Sequence, residues 1–248
     1  MDKKPLISII TVTFNAAEVI QRTLDSLKNQ NFTDFEHLVI DGASQDSTLE
    51  IIGKANLPQT KVMSEPDNGL YDAMNKGLRM ANGKYVIFLN SGDTFHSCDT
   101  LSLYSREAEK ERDIIYGDTI VVDEKGEKKA DRHLKAPEKL TYGSFSNGML
   151  ICHQAFMVKK ELAPPYDLRY KFSADFDWCV KCIANSDEGK CSNLKAVTVD
   201  YLNDGLTDKN KLKSLRERFR IMRAHYGLVP TIFKHISFIF RALKRGNL

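Results

Sequence analysis

At 248 residues, with 42% apolar and 28% charged side chains, the chain can bury a full core and does not have the composition of a disordered segment. Its five cysteines, Cys98, Cys152, Cys179, Cys182 and Cys191, are odd in number and irregularly spaced, which argues against a disulfide-stapled scaffold and for reduced thiols. The net charge of +3 hides a division: residues 209–248 carry 11 Lys and Arg against one acid, Glu217, so a +10 tail follows a −7 body.

The opening MDKKPLISIITVTF has a charged start and a short β-branched run with no small-residue cleavage site after it, so it reads as a first strand over 6–13, not a signal peptide. Residues 17–29 follow with Val19, Ile20, Leu24 and Leu27 at helical spacing. A second strand is expected at 35–40 and a second helix at 46–55, capped by Ser44 or Asp46. A short strand at 61–64, a helix at 70–81 stopped near Gly83, and an apolar strand at 84–89 (KYVIFL) complete a β-α-β-α-β-α-β series. Such alternation predicts a parallel α/β sheet with right-handed crossovers. Ligands bind such sheets outside the carboxyl ends of the strands. Phe14-Asn15, Asp41-Gly42, Glu65–Asp67 and Asn90–Asp93 should therefore converge on one site.

Further on, strands are expected at 113–118 and 119–122, a hairpin turn at 123–126, a strand at 153–158, a helix at 173–184, a strand at 195–201 and a basic amphipathic helix at 212–226. No run is long and apolar enough to span a bilayer, and the expected location is the cytoplasm. The stretch 228–248 mixes Ile, Phe and Leu with Lys and Arg, which suits either the face of an anionic membrane or packing on protein, including a second subunit of a homodimer. The acidic body argues against a nucleic-acid partner.

Asn90-Ser91-Gly92-Asp93 is the sharpest local feature. A carboxylate ending a buried strand is costly unless neutralised, and Mg²⁺ or Mn²⁺ would neutralise it using oxygen ligands and substrate phosphates. The plainer reading is a β-turn. Asp41 can accept hydrogen bonds from a base or a ribose, or simply cap the second helix. Asn68, Asp72 and Asn75 share a face near a helix start that favours anions, with Asp67 before them and Lys76 in reach of a phosphate. Asp72 and Lys76 could equally pair with each other. Asp175 and Asp177, in FSADFDW, lie opposite an aromatic side if that segment is extended, and either could be a general base. Cys179-x-x-Cys182 lacks the second pair that a zinc site needs. There is no Walker loop, no G-x-G-x-x-G after the first strand and no G-x-S-x-G elbow.

The run ISIITVTFNAAEVIQRTLDSLKNQNFTDFEHLVIDGASQDSTLEII resembles the N-terminal half of family 2 inverting glycosyltransferases of GT-A fold. SEPDNGLYDAMNKGLRMANGKYVIFLNSGD is similar to a bacterial subgroup that assembles surface polysaccharides, and HQAFMV, FSADFDW and DYLNDGLT match more weakly. The resemblance implies a Rossmann-like mixed sheet flanked by helices. It implies a catalytic domain over 1–208, with a nucleotide-sugar half (1–95) and an acceptor half (96–208), and a basic helical tail over 209–248. It places Thr13, Phe14 and Asn15 against the nucleotide and Asp41 near its base and ribose. Asn90, Ser91 and Gly92 fall at the diphosphate, and Asp93 on Mn²⁺ or Mg²⁺. Asp175 becomes the base, and His153 and Gln154 lie near the diphosphate or acceptor. The implied reaction moves a hexosyl group from a nucleotide-sugar, UDP-linked by preference, to a saccharide or lipid-linked saccharide hydroxyl by one metal-assisted inverting displacement. Sugar-phosphate nucleotidyl transfer is the alternative, although the first loop lacks the Gly-rich basic character it would want. Two departures stand out: the metal motif has one acid where many relatives have two, and Asp41-Gly-Ala-Ser stands where many have Asp-Asp-Gly-Ser.

Overall fold

The computed structural model describes residues 4–132, 134–202 and 210–244. The expected domain boundary at 208/209, most of the DYLNDGLT match and the last four residues of the tail lie outside these. Four parallel strands form one half of the sheet: β1 (Ile7–Thr13), β2 (Phe35–Asp41), β3 (Thr60–Ser64) and β4 (Tyr85–Phe88). The other half is built from β5 (Thr94–Phe95), β6 (Ile114–Val122), β7 (Lys128–Asp131), β8 (Phe156–Lys159) and β9 (Cys191–Leu202). The spatial order is β3-β2-β1-β4-β8-β6-β9-β5, with β7 also on β6. Antiparallel β8 joins the halves by pairing with β4 and β6.

The continuous apolar run of β1 follows from burial on both faces. Ile7 and Ile9 face one core with Phe35, Tyr85 and Ile87, while Ile10 and Val12 face another with Leu38, Ile40 and Phe88. Helix α1 (Ile20–Lys28) adds Leu27 to the first core and packs with α2 (Thr48–Ala55), and α4 (Thr100–Glu109) covers the same face through Leu101, Tyr104 and Ala108. Helix α3 (Leu70–Met80) and α5 (Ala174–Asn185) cover the opposite face, with Met74, Leu78, Trp178 and Val180 inward. Helix α6 (Lys211–Tyr226) buries Ile221 and Met222 in that same core, and α7 (Leu228–Lys244) follows it, with Phe238 packed against the cluster.

The first half follows the sequence reading closely. The expected strands at 113–118 and 119–122 are one strand, β6, which takes Gly117-Asp118 as an irregularity in its pairing with β9 and not as a turn, and the hairpin turn at 123–126 leads into β7. The expected strand at 153–158 begins only at Phe156, since residues 153–155 form a 3-10 turn that removes His153 and Gln154 from the ladder. FSADFDW is helical from Ala174, not extended. Cys179 and Cys182 are buried free thiols pushed well above their usual range by desolvation.

His37 lies wholly buried between Thr11 and Thr60, whose hydroxyls are each 2.9 Å from one ring nitrogen. Burial pushes its pKa from 6.5 down to about 3. A group depressed on folding stabilises the fold fully above its unfolded pKa, and that stability is lost as pH falls. From pH 7 to 5 the unfolded chain gains this proton and the folded one does not, which costs about 1–2 kcal/mol. Urea unfolding of wild type and His37→Gln at both pH values should show a shallower acid loss in the variant; equal losses would contradict the assignment.

Candidate active site

A cavity of about 630 Å³ opens at the carboxyl ends of β1 and β4 and extends to the start of α5. Its lining includes Thr13, Phe14, Asn90, Ser91, Asp93, His153, Gln154 and Asp175. At one wall, β4 ends in a turn closed by the Asp93 amide donating to the Asn90 carbonyl at 3.0 Å, with Gly92 at φ +93°. A Cβ at Gly92 would come within 2.8 Å of the Leu202 side chain, so both conformation and space favour glycine. Thr23 of α1 pins this turn, its hydroxyl donating to the Asp93 carbonyl and accepting from the Gly92 amide.

The Asp93 carboxylate is almost fully buried. It accepts the Leu202 amide at 2.9 Å and the Gln154 amide nitrogen at 2.7 Å. Desolvation dominates and raises its pKa to about 6, against the lowering effect of these hydrogen bonds and of His153 and Arg22. The Cys152 thiol donates to the other end of the Gln154 amide, which turns the nitrogen toward Asp93. In the same lining, at the ends of β1 and β4, the Thr13 hydroxyl oxygen and the Asn90 carbonyl oxygen are buried without hydrogen-bond partners. Such orphaned oxygens fit a hard cation or a ligand hydroxyl. Among the described residues no three His, Cys, Asp or Glu side chains gather into a metal cluster, so protein carboxylates alone do not close a cation site.

At the other wall, Asp175 accepts from the Tyr71 hydroxyl at 3.1 Å and lies 3.5 Å from His153 Nδ1. His153 Nε2 lies 3.5 Å from Asn90, so the imidazole stands between the two walls. Burial pushes the Asp175 carboxyl up, but His153 and the Arg218 guanidinium outweigh it and hold the group below its usual range. Asp177 points elsewhere because two residues along a helix turn a side chain through about 200°. It pairs with Lys181 at 2.7 Å and with His225 of α6 at 2.8 Å.

The other expected residues separate into two groups. Asn15 and Asp67 gather beside Phe14 at the rim, with Asp41 wholly buried beneath them. The Asp41 carboxylate accepts from Ser64 at 2.6 Å and from the Ser44 amide and hydroxyl, while Ser44 also accepts the Asn15 amide. A Cβ at Gly42 would lie 2.6 Å from Asp67 Oδ2 and 3.3 Å from the Phe14 ring, so these three loops touch. Phe14 itself is 61% exposed, an unpacked ring at a strand end. Asn68, Asp72, Asn75 and Lys76 are not brought to the cavity lining. Asp72 accepts the Asn68 amide, Asn75 holds both backbone groups of Tyr166, and Lys76 binds the Pro66 carbonyl and Glu65. The cavity also takes Tyr71, Arg132, Lys171 and Arg218, of which the two arginines carried no distinguishing local signal.

An α/β sheet with carboxylates, amides and an exposed ring at its strand ends is the architecture of a nucleotide-sugar transferase. The sequence matches Glycosyl transferase family 2 over residues 8–163, and the chain belongs to that family. It is 35% identical over 194 residues to a PGL/p-HBAD biosynthesis glycosyltransferase of Mycobacterium bovis, covering 73% of this chain and 71% of the relative. The fold is similar to that of S. aureus TarS in complex with UDP-GlcNAc, with TM-score 0.71 and 19% identity over 95% of this chain and 73% of that one. A mannosyltransferase from Pyrobaculum calidifontis in complex with GDP-Man and Mn²⁺ gives TM-score 0.62 and 15% identity over 100% of this chain and 77% of the other. The chain is thus a glycosyltransferase of GT-A fold, which sets the nucleotidyltransferase alternative aside.

Proposed function

We propose that this enzyme transfers a hexosyl group from a UDP-sugar to an acceptor hydroxyl with inversion, in the assembly of a cell-surface saccharide. The observation that carries this reading is one cavity with Asp93 and two orphaned oxygens at one wall and an ionised, accessible Asp175 at the other. Phe14 offers its exposed face to a base, and Asn15 and Asp67 border the same rim with Asp41 beneath them. The relative that holds UDP-GlcNAc supports the uridine preference.

Asp93, with Thr13 and Asn90 in the same lining, would hold Mn²⁺ or Mg²⁺. A cation bound there neutralises charge on the departing diphosphate as a Lewis acid. Asp175 accepts the proton of the acceptor hydroxyl as that oxygen attacks the anomeric carbon from the face opposite the leaving group. Tyr71 and His153 orient the carboxylate, and His153 with Arg218 keeps it ionised. Loss of general-base help costs about 10²–10⁴-fold. Asp175→Asn should therefore lose turnover on that scale while binding UDP as wild type does, measured by product formation and by calorimetry. Retention of most activity would move the base elsewhere.

Helix α7 supports a membrane-facing position. Val229, Ile232, Phe233, Ile236, Ile239 and Phe240 form an exposed stripe, while Thr231 and Phe238 face the protein. Lys234 donates to Asn147 and Arg241 lies over the Phe238 ring on the protein-facing side, and residues 228–248 contain no acid. Among the described residues no helix is long and apolar enough to cross a membrane. This pattern fits the surface of an anionic bilayer, where each basic residue contributes about 1 kcal/mol. The full chain should co-sediment with phosphatidylglycerol vesicles and lose that binding on Phe233→Ser with Phe240→Ser. Equal sedimentation of both proteins would sink this reading.

A further inference from the structure

Three cations line the acceptor side of the cavity, and none of them forms an ion pair among the described residues. Arg132 donates to the Met149 and Leu150 carbonyls, which fixes its fork without neutralising it. Arg218 stands on α6 near enough to Asp175 to help hold that carboxyl down, yet its Nε is buried without a hydrogen-bond partner. Its neighbour Glu217 turns its two oxygens to the Lys171 and Phe172 amides, so its negative charge lies close to this wall but leaves the Arg218 Nε without an acceptor. Lys171 is the third cation of the lining.

The lining therefore holds Arg132, Lys171 and Arg218 against the carboxylates of Asp93 and Asp175. A divalent cation and the donor diphosphate largely cancel each other at the Asp93 wall. The unpartnered guanidinium of Arg218 is then left near Asp175, where the attacking hydroxyl must lie. A buried guanidinium N–H without an acceptor is costly, and a planar fork matches phosphate oxygens. We propose that the acceptor carries a phosphate-type anion close to the attacking hydroxyl, held by Arg218 with Lys171 and Arg132. This rests on the glycosyl-transfer reading above.

The test measures binding of glucose 6-phosphate, glucuronate and glucose to the full chain saturated with UDP and Mn²⁺. Glucose 6-phosphate should bind about tenfold more tightly than either of the others. Arg218→Gln and the exposed Lys171→Gln should each remove most of that preference, Arg218→Lys should keep part of it, and UDP affinity should change less than about twofold. Equal binding of all three sugars, or glucuronate binding as tightly as the phosphate, overturns the proposal. It is also overturned if Arg218→Gln weakens UDP as much as the phosphate probe, which would assign the arginine to the donor. Displacement of glucose 6-phosphate by phosphatidylglycerol vesicles would assign the anion to a lipid headgroup and overturn it as well. If UDP and Mn²⁺ fail to bind the wild-type chain at all, the donor reading itself fails, and this inference with it.

Discussion

The burial of one carboxylate organises this molecule. Asp93 ends the apolar strand β4 in an environment that raises its pKa to about 6, so the fold must supply partners for it. Two residues reach the carboxylate itself and two hold the backbone of its turn, three of them from distant parts of the chain. Thr23 holds the turn from α1, Leu202 donates from the end of β9, Gln154 donates from the 3-10 turn before β8, and Asn90 closes the turn itself. The two halves of the sheet thus meet at Asp93 as well as along β8. Its carboxylate can accept more than two hydrogen bonds, so these contacts orient it without exhausting it.

A second constraint sets the opposite wall. Helix α5 begins at Ala174, and its geometry divides the work of two acids only two residues apart. Asp175 faces the cavity with Tyr71 and His153, while Asp177 ties α5 to Lys181 and to His225. That tie seats α6, and α6 in turn carries Arg218 into the cavity and buries Ile221 and Met222. The start of the basic tail is therefore continuous with the catalytic core. The exposed apolar stripe is borne by α7 beyond it. An unpartnered Arg218 near Asp175 and an apolar, basic helix beyond it would suit an anionic acceptor presented at a surface.

The β-α repeat of the first 90 residues was legible because β1, β2 and β4 are buried on both faces, which forces unbroken apolar runs, and because α1 and α3 keep a clear apolar stripe. The convergence of loops at the strand ends followed from topology alone. Other features were hidden by physics that periodicity does not capture. Helix α4 buries Thr100 and Ser105 among Leu101, Tyr104 and Ala108, which blurs its apolar stripe. Asn75 and Lys76 have the chemistry of ligand-binding residues but spend it on the backbone at Tyr166 and Pro66. Arg132 and Arg218 are indistinguishable in sequence from the many other basic residues around them. Only long-range packing selects them.

With Asp93 as the one carboxylate at the end of β4, a cation would be held jointly by Asp93 and the donor diphosphate. Titration of Mn²⁺ into the full chain, with and without saturating UDP and followed by the metal's paramagnetic resonance, tests this most directly. Mn²⁺ should bind weakly alone, at least about tenfold tighter with UDP present, and should lose that gain in Asp93→Asn. Mn²⁺ binding equally tight with and without UDP, or unaffected by Asp93→Asn, would contradict it.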